Sequence, residues 1–212
     1  MNPRKILFLT LAMFMAVLHV NGQVPSEVKE VMRKCEAAMS SPQGVEIDMN
    51  VKTSLAFVKL MNMRLVTGEK GSKSKALMTM SILGKEVTIE SGFDGEQEWV
   101  ATDDTVTITK TTTKGKGDSE LNFNLANEYK KAKMKLKNDC YEIDFSEPVD
   151  KKNEAKSVSV KVSKKDYRLR EMKMSMKGAK ATITINKVRF GLKDDYFKLD
   201  LSKYPKAKVI RK

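Results

Sequence analysis

The residue types that move protons or hold metals are sparse in this chain. Its single histidine is His19, inside the apolar run near the start. A mature chain beginning after that run has no histidine, which removes the usual general base, the serine triads and most zinc sites. Asp103-Asp104 and Asp194-Asp195 are adjacent acidic pairs. Neighbours in a strand point to opposite faces, so these read as turns, not as two carboxylates facing each other across a cleft. Gly68-Glu69-Lys70-Gly71-Ser72-Lys73 has the composition of a phosphate loop without the Walker spacing. No G-x-S-x-G elbow occurs. No catalytic residue, metal ligand or cofactor is therefore assigned. Of the two cysteines, Cys35 falls on the apolar stripe of a helix, and Cys140 alternates with Glu142 and Asp144 on the polar side of a strand. Two free thiols are the default, although an exported chain can keep a disulfide.

What the chain does supply is apolar contact. Met49, Met61, Met63, Met78, Met80, Met172, Met174 and Met176 fall on one parity of alternating segments, and Met32 and Met39 on a helix. A core that packs only itself tends to use rigid Ile, Val and Leu. Methionine fills irregular space and recurs at adaptable binding surfaces. An ordinary core that happens to use Met is the competing reading. The candidate lining of an apolar hollow is Met49, Met61, Met63, Met78, Met80, Ile89, Phe93, Trp99, Ile143, Met172 and Met174.

The elements that would position these residues are written in the periodicity. Arg4 and Lys5 precede the apolar run Ile6 to Val20, and Asn21-Gly22-Gln23 follows. That is the pattern of a secretory signal peptide, and the run is short of the roughly 20 apolar residues of a membrane span. Cleavage is expected after Gly22, leaving 23–212 as a single domain. Pro25 and Ser26 open an amphipathic helix whose stripe is Val28, Val31, Met32, Cys35, Ala38 and Met39. After Gly44 nearly everything alternates with period two, in about ten strands linked mostly by hairpins. Asp94-Gly95 is a strong hairpin turn. The parity change near Arg170 suggests a bulge, and 119–132 reads as briefly helical.

Ten strands at about 4.8 Å make a sheet roughly 48 Å wide, which a helix about 10–12 Å across does not cover. The sheet must curl around its apolar side as part of a barrel, or pack as a sandwich. The formal charge of +13 lies in lysine clusters, notably 110–116, 130–137, 151–165 and 203–212. These are solvated faces or a surface for acidic lipids or an acidic partner. Nucleic acid is not expected, because the basic runs lack interleaved aromatics.

Several stretches resemble the periplasmic lipoprotein carriers, the LolA-like family. The order is signal peptide, amphipathic helix, then strands through Gly92-Phe93-Asp94-Gly95-Glu96-Gln97-Glu98-Trp99, similar to the family's D-G-x-x-x-W hairpin. Tyr141 to Phe145, Asp166 to Leu169, Phe197 to Asp200 and Tyr204 to Ile210 resemble later family segments. The resemblance implies an incomplete antiparallel β-barrel, mainly β with few helices, and a helical lid that includes Leu121, Phe123 and Leu125. It implies a non-enzymatic periplasmic carrier, a monomer, that buries acyl chains of lipoproteins or related lipids. Such carriers take cargo from an inner-membrane transporter and pass it to an outer-membrane acceptor. The alternative on the same fold is a non-catalytic envelope sensor or adaptor that binds a protein partner or detects lipoproteins. Where the best-studied carriers place a lid-latching arginine, this sequence has Thr79 and Met80.

Overall fold

The computed structural model describes residues 24–55, 58–82, 84–111, 125–150 and 155–212. The expected signal peptide and the lid candidates Leu121 and Phe123 lie outside the described residues.

Helix α1 spans Ser26–Met39. The Pro25 carbonyl accepts the N–H groups of Val28 at 3.0 Å and Lys29 at 3.2 Å. Proline suits that entry because its fixed φ leads into a helix. Glu27 in the first turn meets the positive end of the helix dipole. Val28, Val31, Met32, Cys35 and Met39 form the buried stripe that their spacing predicts.

The strands are β1 (Val45–Leu55), β2 (Val58–Lys70), β3 (Lys73–Ile82), β4 (Lys85–Phe93), β5 (Gln97–Ala101) and β6 (Thr105–Lys110), followed by β7 (Tyr129–Lys137), β8 (Cys140–Pro148), β9 (Ala155–Ser163), β10 (Leu169–Met176), β11 (Ala179–Phe190) and β12 (Lys208–Arg211). They form one sheet in the order β12-β6-β5-β4-β3-β2-β1-β11-β10-β9-β8-β7. Two antiparallel meanders, β1–β6 and β7–β11, join where β1 pairs with β11. The sheet stays open, with β7 and β12 at its edges. This is the expected mainly β, incomplete antiparallel barrel in place of a sandwich.

The twelve strands exceed the ten or so read from periodicity. The clearest shortfall is β12, which pairs with β6 in parallel and so has no hairpin turn to announce it. The helix expected within 119–132 is, among the described residues, only α2 (Leu125–Glu128). From Tyr129 the chain is already β7, because Ala132, Met134 and Leu136 pair with Phe145, Ile143 and Tyr141. The bulge expected near Arg170 is present, as a register shift between Leu169 and Glu171 against β9. Further shifts fall between Asp48 and Met49 against β11, between Thr53 and Leu55 against β2, and between Ser175 and Met176 against β9. At the β7–β8 hairpin both loop residues, Asn138 and Asp139, have positive φ (48° and 58°), as a two-residue loop with the twist of the strands requires.

The two sides of the sheet are covered differently. On the inner side the stripe of α1 packs with Ile47 and Met49 of β1 and with apolar residues of β7–β11. Tyr129, Ile143, Phe145, Val160, Leu169 and Met172 belong to this core. On the outer side the segment 191–207 lies across the other half of the sheet as a strap. It contains two short 3-10 helices, Asp194–Phe197 and Leu201–Lys203. Its Leu199, Tyr204 and Ala207 pack on a second core of Trp99, Ala101, Val106 and Ile108.

Candidate functional site: the inner face beyond helix α1

Antiparallel register assigns each side chain to a face. Ile185, Met49, Leu65, Met78 and Ile89 stand opposite one another across β11, β1, β2, β3 and β4. Ile183, Val51, Met63, Met80 and Val87 form the next row on the same strands. Both rows start in the core beneath α1, where Met49 is 2% exposed. They continue onto β2–β4, where no other described element packs on them as α1 does on β1. Met63, Leu65, Met78, Met80, Val87 and Ile89 are all half-buried. Of these six, only Leu65 packs against the α1 core.

The reason is one of dimensions. Fourteen residues make α1, so it is about 21 Å long. Twelve strands span roughly 53 Å between the two edges. The helix serves β1, β7–β11 and, through Leu65, the margin of β2, and β3–β6 lie beyond it. Next to the two apolar rows, the inner positions Thr67, Ala76 and Ser91 stand in register. Their small side chains lower the surface between the methionine rows and Phe93, which is 5% exposed and pairs with Ser74. The result is a strip two apolar rows high and three strands wide with a shallow trough along it. It has no ionisable group in either row, and what it offers is dispersion and water exclusion.

The candidate residues divide accordingly. Met63, Met78, Met80 and Ile89 share the strip beyond α1, and Phe93 borders it. Met49, Ile143 and Met172 are buried beneath α1, as part of its core. Met174 is half-buried at the margin of that core. Met61 pairs with Thr53, which gives it the same parity as Met63. Leu125 opens α2 and is buried against the α1 core.

Trp99 needs correcting. The sequence groups it with Met78 and Met80, but β5 pairs it with Gly92, whose parity is opposite to Phe93. Trp99 therefore belongs to the outer face. There it is 2% exposed, and its Nε1 has no hydrogen-bond partner among the described residues. A β-carbon on Gly92 would lie 2.4 Å from Cζ2 of the indole, so glycine is what lets the ring lie flat on the strand. A local signal marks this placement. Asp94 to Gln97 closes a two-residue hairpin loop, with the Asp94 N–H donating to the Gln97 carbonyl at 3.3 Å. Such a loop sets Trp99 opposite the glycine. Leu65 and Val87 complete the two apolar rows and are absent from the candidate lining, though their alternation with Arg64 and Glu86 marks the inner parity.

The outer face carries the charge. Arg64 makes a bidentate pair with Asp48, at 2.7 and 3.2 Å. Under the strap, Glu90 is buried and paired with Lys75 at 2.9 Å. The Tyr204 hydroxyl donates to Glu90 at 3.1 Å. Burial, with the Glu90 charge beside it, pushes the Tyr204 phenol above its ordinary range. Asp194 accepts from Lys70 at 2.8 Å and Lys73 at 2.9 Å. Their bonds hold its carboxyl at about 2. Tyr196 lies so close over Gly68 that a β-carbon there would be 2.3 Å from its ring. A cavity of about 350 Å³ lies between strap and sheet, lined by Glu46, Val66, Lys75, Glu90, Tyr196 and Lys203 among others. Its charged groups are largely paired with one another. Among the described residues no cluster of His, Cys, Asp and Glu could hold a metal ion.

No family model and no curated protein matches the sequence. Solved structures do match in shape. The chain is similar to an uncharacterized conserved protein from Thermus thermophilus, at 8% identity, covering 88% of this chain and 100% of that one, with a TM-score of 0.51. It is also similar to the LolA superfamily protein NE2245 from Nitrosomonas europaea, at 10% identity over 81% of this chain and 97% of that one, TM-score 0.38. A third is the lipoprotein LppX from Mycobacterium tuberculosis, at 9% identity over 78% and 97%, TM-score 0.46. At 8% identity and a TM-score of 0.51, the Thermus thermophilus match speaks for fold alone. LolA-like proteins are among the structures matched.

Proposed function

We propose that the chain binds the acyl chains of lipoproteins or related lipids on the half of the inner face that lies beyond α1. It acts in the periplasm as a carrier toward the outer membrane, loaded by an inner-membrane transporter and unloaded by an outer-membrane acceptor. The observation that carries this reading is the pair of apolar rows. They run unbroken from the core under α1 onto β2–β4, where six side chains stay half-buried and no polar group interrupts them.

Such a strip suits a chain of methylenes better than a rigid, polar ligand. Each buried methylene contributes about 0.8 kcal/mol, so a sixteen-carbon chain resists water by roughly 12 kcal/mol. The strip is on the order of 200 Å² in projection, from three strands about 4.8 Å apart and two rows about 7 Å apart. At about 25 cal/mol per Å² that area contributes roughly 5 kcal/mol. The remainder needs cover from a second surface, which is the part the resemblance gives to a lid. Methionine side chains adapt to the chain without demanding one fit, which favours release as well as capture.

The test is native mass spectrometry of the protein purified from a bacterial periplasm, followed by titration with a synthetic acylated peptide. A retained lipid or acylated peptide near one per protein is the expected result. A bare protein that ignores the acylated peptide overturns the proposal.

A further inference from the structure

We infer that the β7 edge of the sheet is a docking surface for anionic membrane lipid, whatever the inner face binds.

The strand Tyr129–Lys137 contains Lys130, Lys131, Lys133, Lys135 and Lys137 and no acidic residue. It is an edge strand, with β8 on one side and no strand on the other. Its length is about 30 Å. Lys131 is paired with Glu147, and Lys135 with Glu142 at 3.2 Å. Among the described residues, Lys130, Lys133 and Lys137 have no acidic partner, and all three are exposed. An apolar side chain stands at each end of this basic strip. Leu136, between Lys135 and Lys137, is 55% exposed, and Val149, whose N–H donates to the Glu128 carbonyl, is 54% exposed.

Two occupants fit a basic edge: an acidic extended peptide added as a strand, or an anionic bilayer. The side chains favour the bilayer. Lysine on an edge strand works against strand addition. At a membrane surface the same lysines keep their ammonium groups hydrated among phosphates while their stems lie along apolar surface. Exposed Leu136 and Val149 add the shallow apolar contact that a headgroup region accepts. Lysine beside an anionic surface strengthens binding about fivefold per residue, within a Debye length.

The experiment is flotation of the mature chain, 23–212, with vesicles of phosphatidylcholine alone and with about a third phosphatidylglycerol, at low and high salt. The variant replaces Lys130, Lys133 and Lys137 by glutamine, which breaks no ion pair seen among the described residues. The control replaces Lys52, Lys85 and Lys180, also exposed, and removes the same net charge elsewhere. The expected result is salt-sensitive binding to the anionic vesicles only, weakened on the order of 100-fold in the β7 variant and much less in the control. Absence of binding by the natural chain, or equal loss in both variants, overturns the inference. Capture of polyglutamate through β7 without vesicle binding also overturns it, and assigns the strip to an acidic protein.

Discussion

Replacing Met80 by aspartate separates binding from folding, and the register sets the size of both effects. Met80 stands between Met63 and Val87 on the strip beyond α1 and is half-buried. Full burial of such a side chain contributes about 1.5–3 kcal/mol, so losing half of it costs the fold about 1 kcal/mol. In the free protein the new carboxylate stays in water. An acyl chain laid along the row removes that water, and a carboxylate without a partner loses several kcal/mol in such a setting. We expect affinity for an acylated peptide to fall on the order of 100- to 1,000-fold, at about 1.4 kcal/mol per tenfold. The control is Thr79→Asp. Thr79 is next in the chain, pairs with Thr88, and lies on the outer face. It should leave affinity within a few-fold. Affinities come from titration of a fluorescent acylated peptide, and folding from urea denaturation of each variant. Retained binding by folded Met80→Asp, or an equal loss in Thr79→Asp, refutes the assignment of the strip.

Three further outcomes follow from the outer face and the thiols. Gly92→Ala puts a β-carbon 2.4 Å from the Trp99 ring and 2.9 Å from the Ser74 carbonyl oxygen. It should destabilise the protein by about 1–3 kcal/mol and shift the emission of the one tryptophan, both readable in a single fluorescence-monitored denaturation. Asp194→Asn removes a carboxyl whose pKa is depressed from 3.8 to about 2 by Lys70 and Lys73. Its stabilising effect is therefore whole above about pH 4 and lost as pH falls toward 2. The urea midpoints of the natural chain and this variant should differ at pH 6 and converge near pH 2. Cys35 is fully buried, and desolvation raises its thiol to about 12, whereas Cys140 is partly exposed on the outer face. A thiol reagent at pH 8 should label one cysteine in the native protein and two in urea.

The alternation that names the strands was readable because one face meets water and the other does not. Val45, Ile47, Met49 and Val51 could be placed on one side from their polar neighbours alone. The bulge at Arg170 was readable because it reverses parity inside an otherwise regular run. The number of strands was less so, since Lys208-Val209-Ile210-Arg211 is short and pairs in parallel with a distant strand. The strap was not read from Leu199, Tyr204 and Ala207, because irregular backbone leaves no period to find. Trp99 shows the limit in the site itself. A large aromatic on a strand after a hairpin says that it is buried, and only the loop length says on which face. Likewise, periodicity puts Met172 and Met80 on one face without telling which of them α1 reaches. That depends on strand order, which β1 settles by pairing with β11 across a chain separation that no local pattern reveals.

The seam between β1 and β11 also has a kinetic meaning. Each meander consists of neighbours in sequence and can assemble by local contacts. Their union at Val45 and Phe190 must close a long loop, the kind of step that slows folding. Helix α1 precedes β1 in the chain, yet it packs chiefly on β7–β11, which are made much later. Until they arrive, its stripe has no surface to cover. A nascent chain emerging in order therefore exposes both the stripe and the methionine rows for most of its synthesis. Refolding should show a fast phase for the separate meanders and a slower one for their joining. The interval between them is when the chain is most exposed to aggregation.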